Sequence, residues 1–363
     1  MQCKGCKREC PTGVDMARMK TEFLHHWHAR HGLSLKDRLI AHLPRWAPWA
    51  ARVAPLANLP TTWPALGRVV ARMVGLSPSR SLPAFRSDGF LRGLRGASTS
   101  SAGTVGAREV VLWVDTFDDH LEPDNARAAL RVLEAGGYHV RVAGAAGSGI
   151  APGERALCCG RTYLAAGQVE QARAEALRTL RALLPYAQRG VPIVGLEPSC
   201  LLTLRDEFLA MRLDAEVGVA GAAQLLADHA RLLEEFLADE QTAGRLNLKL
   251  KALPESRALV HGHCHQKAFD AFSPTLAVLR LVPGLKVEPI ESGCCGMAGS
   301  FGYDARHADV SMRMAELSLL PAVRASTPDT LIVADGTSCR HQIADGTQRQ
   351  ALHLARVLER ALA

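Results

Sequence analysis

Two Cys-Cys-Gly triplets, Cys158-Cys159-Gly160 and Cys294-Cys295-Gly296, constrain this chain more than any other feature. Each follows an apolar run read as a strand and precedes a long helical pattern. Each is then answered by one cysteine after the next strand, Cys200 in EPSC and Cys339 in GTSC. The separations are alike, 42 residues from Cys158 to Cys200 and 45 from Cys294 to Cys339. Such a repeat predicts a duplicated domain with halves related by a pseudo-twofold axis.

The surrounding pattern is strand–helix alternation. Strands are expected over 108–115, 138–143, 191–197, 257–263, 285–290 and 330–335. Helices are expected over 123–137, 162–188, 273–282 and 306–324, with a closing helix from about 347. Alternation of this kind gives α/β layers with mostly parallel sheets. Before it, residues 12–44 read as helix, Pro44, Pro48, Pro55, Pro60 and Pro64 break the chain into short pieces, and 65–76 resume a helical pattern. The Ser-, Gly- and Arg-rich stretch 77–108 has no period and reads as a linker. The expected divisions are 1–32, 33–85, a linker over 86–108, a first half over 109–245 and a second over 246–363.

Cysteines at strand ends and helix starts lie where an α/β sheet presents groups for binding, and a helix N-terminus favours the thiolate. No signal peptide is visible and a cytoplasmic setting is expected, in which ten clustered cysteines point to metal or redox chemistry rather than disulfides. In the second half, Cys264 ends a strand between His261, His263 and His265. With Cys294, Cys295 and Cys339 it makes four thiolates plus imidazoles, enough for an iron–sulfur cluster or zinc. In the first half Asp115 stands near the place of Cys264, leaving Cys158, Cys159 and Cys200, with Asp115 or Glu197 as oxygen donors. Adjacent cysteines suit a bridging arrangement better than an ordinary cubane.

The N-terminus carries a third group. Cys3, Cys6 and Cys10-Pro11 have the spacing C-x2-C-x3-C-P, the last three sulfurs of a ferredoxin run. The first sulfur of such a run would fall just before Met1, so the expectation is a cut edge: the fourth ligand lies upstream, and the chain alone does not hold that cluster. His25, His26, His28 and His31 read as surface histidines of one helix, and Trp46, Trp49 and Trp63 as packing anchors.

These motifs carry a resemblance. CKGCKRECPTGVDMARMK, LCCG, EPSC, HGHCHQKA, GCCGMAGSFGY and GTSCRHQI resemble the C-terminal part of bacterial FAD- and iron–sulfur-containing D-2-hydroxyacid dehydrogenases, of the D-lactate and D-2-hydroxyglutarate type. The cysteine-rich "CCG" domain of those proteins also occurs in iron–sulfur subunits of glycolate oxidase and anaerobic glycerol-3-phosphate dehydrogenase, and in one of the subunits of heterodisulfide reductase. The resemblance implies an α/β fold with a duplicated CCG domain behind a mainly helical N-terminal segment carrying a partial ferredoxin motif. It implies a [4Fe–4S] role for Cys3, Cys6 and Cys10, and metal-ligand roles for the seven CCG cysteines. The implied function is an electron-transfer module that relays electrons from FAD, held on an upstream or partner polypeptide, to a quinone or another acceptor. No FAD domain is recognised within the chain. Cys200 and Cys339 lack the C-x2-C pattern of heterodisulfide reductase, being followed by Leu201-Leu202-Thr203 and Arg340-His341-Gln342. A thiol–disulfide reductase and a zinc-stabilised docking domain remain the alternatives.

Charge narrows the partners. Residues 1–108 hold 17 Lys/Arg against 5 Asp/Glu, and residues 109–363 hold 26 against 31. The basic residues are spread singly among Leu, Ala, Trp and Pro, which fits solvated faces of amphipathic helices rather than a nucleic-acid surface. No apolar run approaches the roughly 20 residues of a membrane span. A cytoplasmic protein is expected, with peripheral contact to the inner membrane as an option.

Overall fold

The computed structural model describes residues 3–94, 107–144 and 155–363. Strands β1 (Glu109–Trp113), β2 (His139–Ala143), β3 (Ile193–Gly195) and β4 (Ala230–Leu232) form one parallel sheet, in the order β2-β1-β3-β4. Strands β5 (Arg257–His261), β6 (Lys286–Pro289) and β7 (Leu331–Ala334) form a second, in the order β6-β5-β7. A parallel bridge between Val333 and Leu352 occupies the place that β4 holds in the first sheet. The two sheets therefore share one topology. The interiors of β1 and β7 are continuous buried apolar runs, as strands covered on both faces of a parallel sheet require, whereas the edge strands β2 and β6 expose Arg141 and Lys286.

The halves exchange helices. The Pro123–Ala135 helix of the first packs on the Leu354–Arg360 helix of the second, and Leu233–Thr242 packs on Ser273–Leu279. One hydrophobic cluster consequently contains residues of both halves, among them Val132, Leu133, Leu237, Leu279, Leu354 and Leu358.

The N-terminal part is mainly helical, through Met16–His31, Leu35–Ala41, Leu43–Arg52 and Pro64–Val74 with short pieces between. Asp15 caps the first of these, and Ser34 caps the second. His25 and His28 bond through Nδ1 to the carbonyls of Gly167 and Ala166, at 3.1 and 2.8 Å, so two of the four expected surface histidines dock this helix. Trp46 is an anchor, donating to the Leu39 carbonyl at 2.8 Å and lying edge-on to Phe85. Trp49 and Trp63 are not: both lie exposed.

Three further expectations change. The stretch 77–94 is built into the fold: Arg80 is buried and donates to the Gly302 carbonyl at 3.1 Å, and Phe90 and Leu91 enter the shared core. Residues 95–106 of the expected linker lie outside the described residues. The helix expected over 162–188 is two, Arg161–Ala165 and Val169–Ala187, parted at Gly167, where a Cβ would lie 2.5 Å from the His25 nitrogen. The closing helix is Leu354–Arg360, because left-handed Gln348 ends the preceding helix and Leu352 then returns to the sheet.

Candidate metal centres

Strand ends place the second-half sulfurs. Beyond β5, the His263 side chain caps the short Cys264–Ala268 helix by accepting from the His265 amide at 3.2 Å. Gln266 accepts the His263 amide at 2.8 Å in return. This capping box fixes Cys264 at the first helical position. The loop after β6 brings Cys294 and Cys295, and Cys339 lies in the first turn of the Thr337–Thr347 helix after β7.

The Cys-Cys-Gly turn has the same geometry in both halves. Gly296 has φ +86° and donates its amide to Cys294 Sγ at 3.4 Å; Gly160 has φ +79° and donates to Cys158 Sγ at 3.4 Å. A Cβ on Gly296 would lie 2.2 Å from the Ser311 carbonyl oxygen, and one on Gly160 2.7 Å from that of Ala172. Both the backbone sign and the close helix approach demand glycine.

The second-half sulfurs converge. The thiols of Cys264, Cys294, Cys295 and Cys339 lie close enough to influence one another's protonation. One ring nitrogen of His261 lies within 4.8 Å of the sulfurs of Cys295 and Cys339, and the ligand atoms of His263, Cys264 and His265 form a second such triple. Among the described residues, His261 Nε2 and His265 Nε2 are buried without a hydrogen-bond partner. Burial pushes both imidazoles well below their ordinary value, so both are neutral. The Cys264 thiol is pushed up, first by the Cys294 thiol and then by burial. Neutral imidazoles with idle nitrogens beside packed thiols leave polar groups that a bound cation would satisfy. This donor set fits an iron–sulfur cluster, and it also fits zinc.

Cations ring this site. Arg161, half-buried and paired with Glu207 at 2.8 Å, lies close enough to Cys159 and Cys264 for their charges to favour its own. Lys267 acts on Cys264 and Cys339. Lys4, fully buried, bonds to Asp15 and Asp206 at 2.6 Å each and to Glu207 at 2.9 Å. It pins the Gly5–Glu9 helix beside the Cys264–Ala268 helix. None of these cations carried a spacing signal in the sequence.

The first half is leaner. Cys158, Cys159 and Cys200 are all buried, and the Asp115 and Glu197 carboxylates are close enough to Cys200 to disfavour its thiolate. Burial, then the Glu197 charge, pushes Asp115 up to about 8. Counted from strand end and helix cap, Asp115 does not occupy the place of Cys264. It caps its helix as His263 does, and Thr116 stands where Cys264 stands. Among the described residues, the first-half cysteines join no triple of ligand atoms within 4.8 Å, nor do Cys3, Cys6 and Cys10. Cys10 Sγ lies 3.1 Å from Thr12 Oγ1.

Comparison with known proteins agrees with this repeat. The cysteine-rich domain CCG matches twice, over residues 121–205 and 258–344. One of the subunits of the anaerobic glycerol-3-phosphate dehydrogenase of Escherichia coli K12 is 25% identical over 331 residues, covering 91% of this chain and 78% of that protein. The D-2-hydroxyglutarate dehydrogenases of Escherichia coli K12 and Pseudomonas putida KT2440 are 26% and 27% identical over 353 and 362 residues. These alignments cover 94% and 97% of this chain but only 32% and 33% of those enzymes, so the chain spans about a third of their length. The cysteine-rich CCG domain is thus present twice in this chain, and each match contains one of the Cys-Cys-Gly turns and the single cysteine that answers it.

Proposed function

We propose that this chain is the iron–sulfur electron-transfer component of a flavin-dependent dehydrogenase acting on a 2-hydroxyacid or a related polyol phosphate. The observation that carries the proposal is the convergence of Cys264, Cys294, Cys295 and Cys339 from three strand ends, beside the idle nitrogens of His261 and His265. A cluster held there would pass electrons singly, which lets a two-electron flavin be emptied by a one-electron carrier. The protein's own part is to exclude water by burial and to offset thiolate charge with Arg161, Lys267 and Lys4. In the first half, Cys158, Cys159 and Cys200, with Asp115 and Glu197, would form a second and weaker station. FAD belongs to an upstream or partner polypeptide.

For the acceptor we propose a planar apolar carrier such as a quinone. A cavity of about 540 Å³ lies between the Met16–His31 helix and residues 298–307, just past the Cys294-Cys295-Gly296 turn. Flat ring pairs line it: Trp27 on His31 at 3.9 Å and Phe301 on His307 at 4.5 Å. Met16, Met19, Phe23 and Trp27 of that helix are exposed, as are Trp49, Val53, Leu56, Trp63, Val69 and Met73 farther on. Residues 43–76 hold four arginines and no acidic residue. Exposed aromatic and aliphatic side chains among arginines suit the surface of an anionic bilayer. Among the described residues, no helix is long and apolar enough to cross one.

The His261, Cys295 and Cys339 triple supports a second reading, a zinc-stabilised domain that docks the flavoprotein. Anaerobic purification followed by iron, sulfide and zinc analysis separates the two. Iron and sulfide with a dithionite-sensitive EPR signal support electron transfer; zinc alone overturns it.

A further inference from the structure

We propose that Arg80 is a positioning residue of the second-half centre. It staples the Cys294-Cys295 loop to the helix carrying Cys339 and places a buried positive charge next to that loop. The proposal rests on the iron–sulfur reading above and adds to it a cation from outside the repeat.

The backbone fixes where Arg80 enters. Leu76 forms an antiparallel bridge with Asp304, and the Ser77 amide donates to the Tyr303 carbonyl at 2.7 Å. These contacts join the segment to residues 301–304, just past the Cys-Cys-Gly turn. From there the Arg80 side chain runs inward, with only 2% of it exposed.

Its contacts fall on both cysteine-bearing segments. Nη2 lies 3.3 Å from Sδ of Met297, two residues after Cys295, and donates to Oε1 of Gln342, three residues after Cys339. Gln342 Nε2 donates in turn to the Ser311 carbonyl at 3.1 Å, the oxygen that leaves no room for a Cβ on Gly296. Nε donates to the Gly302 carbonyl at 3.1 Å, and Nη1 lies 2.8 Å from Met312 Sδ. One guanidinium thus ties the loop, the helix after it and the Cys339 helix together.

That set of partners is poor for a buried cation. Two are thioethers, which accept weakly, and two are neutral amide oxygens. The one carboxylate, Asp345, lies 3.3 Å from Nη1 and also accepts from the Ser81 hydroxyl. A buried guanidinium calls for matching negative charge, which the thiolates of a filled centre supply. The attraction is mutual. A fixed positive charge favours the reduced, more negative state of the centre and so raises its potential.

The test is EPR-monitored redox titration of the anaerobically reconstituted full chain and of Arg80→Gln and Arg80→Lys, together with the rate of iron release to a chelator. Glutamine removes the charge and lysine keeps it, while both lose the fork that makes the staple. Both variants should release iron faster, by about tenfold. Arg80→Gln should also lower the midpoint potential by about tenfold in the reduction equilibrium, about 59 mV for one electron, and Arg80→Lys should hold it. A residue that only props up the fold would speed release in both and leave the potential alone. An unmoved potential in Arg80→Gln, an equal fall in Arg80→Lys, or wild-type release in Arg80→Lys overturns the proposal, and the lysine variant decides it by itself if the glutamine variant does not fold. A wild-type chain that takes up no iron overturns the iron–sulfur reading, and this proposal with it.

Discussion

Glu197 Oε2 accepts the backbone amide of Thr337 at 2.8 Å, so a carboxylate at the end of β3 caps the helix that carries Cys339. The same carboxylate lies close enough to Cys200 and Cys339 to disfavour the thiolate of each. The two halves therefore meet at their cysteine ends through side chains of opposite halves. Arg340 and Glu122 form a second such tie, with Arg340 Nε donating to Glu122 at 3.0 Å.

That tie predicts an acid limb. Burial alone would raise Glu122, but the Arg340 guanidinium overrides it and holds the carboxyl at about 2, against an ordinary 4.5. A depressed carboxyl stabilises the fold above about pH 4.5 and loses that contribution as pH falls toward 2. Glu122→Gln should destabilise the chain by about 2–3 kcal/mol at pH 7 by leaving Arg340 buried and unpaired. It should also flatten the acid limb of a urea-midpoint profile; a variant retaining the full limb refutes the assignment.

The Cys-Cys-Gly glycines are predicted to be intolerant of a methyl group. Gly296→Ala combines a left-handed φ with a 2.2 Å clash against backbone and should cost about 3 kcal/mol or more. Gly299→Ala, left-handed but with open space around it, should cost only about 1 kcal/mol. Thermal melts of the two variants check the ranking.

Lys4→Met should free the N-terminal segment. Three carboxylates lose their one fully buried cation, with Arg18 and Lys7 left on Asp206, Arg18 on Asp15 and Arg161 on Glu207, a change worth about 2–3 kcal/mol. Limited proteolysis should then cut before residue 16 at a rate at which the parent chain stays intact. Equal resistance in both would show that the Gly5–Glu9 helix docks without it.

Binding to vesicles containing anionic lipid should fall at least about tenfold in the double variant Trp49→Ser, Trp63→Ser, and should weaken with salt. Cosedimentation measures both. Undiminished binding by the variant would mean that this face meets something else.

The repeat was legible because its two signals, strand–helix alternation and cysteine register, are both local. The three-residue β4 was not, since Ala230–Leu232 is too short to show a period. Reading 77–94 as linker failed for a related reason: Arg80, Phe90 and Leu91 pack singly, with no pattern between them. At the site, the cysteines and histidines stood out by type, but Asp115 was matched to Cys264 by nearness to the strand end. Only the cap geometry shows that it corresponds to His263. Lys4 and Arg161 gain their place from partners more than 40 residues away, as in Lys4 with Asp206 and Arg161 with Glu207, and no window of sequence reveals that.

The exchanged helices carry a mechanical consequence. Helices of the two halves pack on one another over one shared core, so neither half can be drawn away without exposing Val132, Leu279 and Leu358 to water.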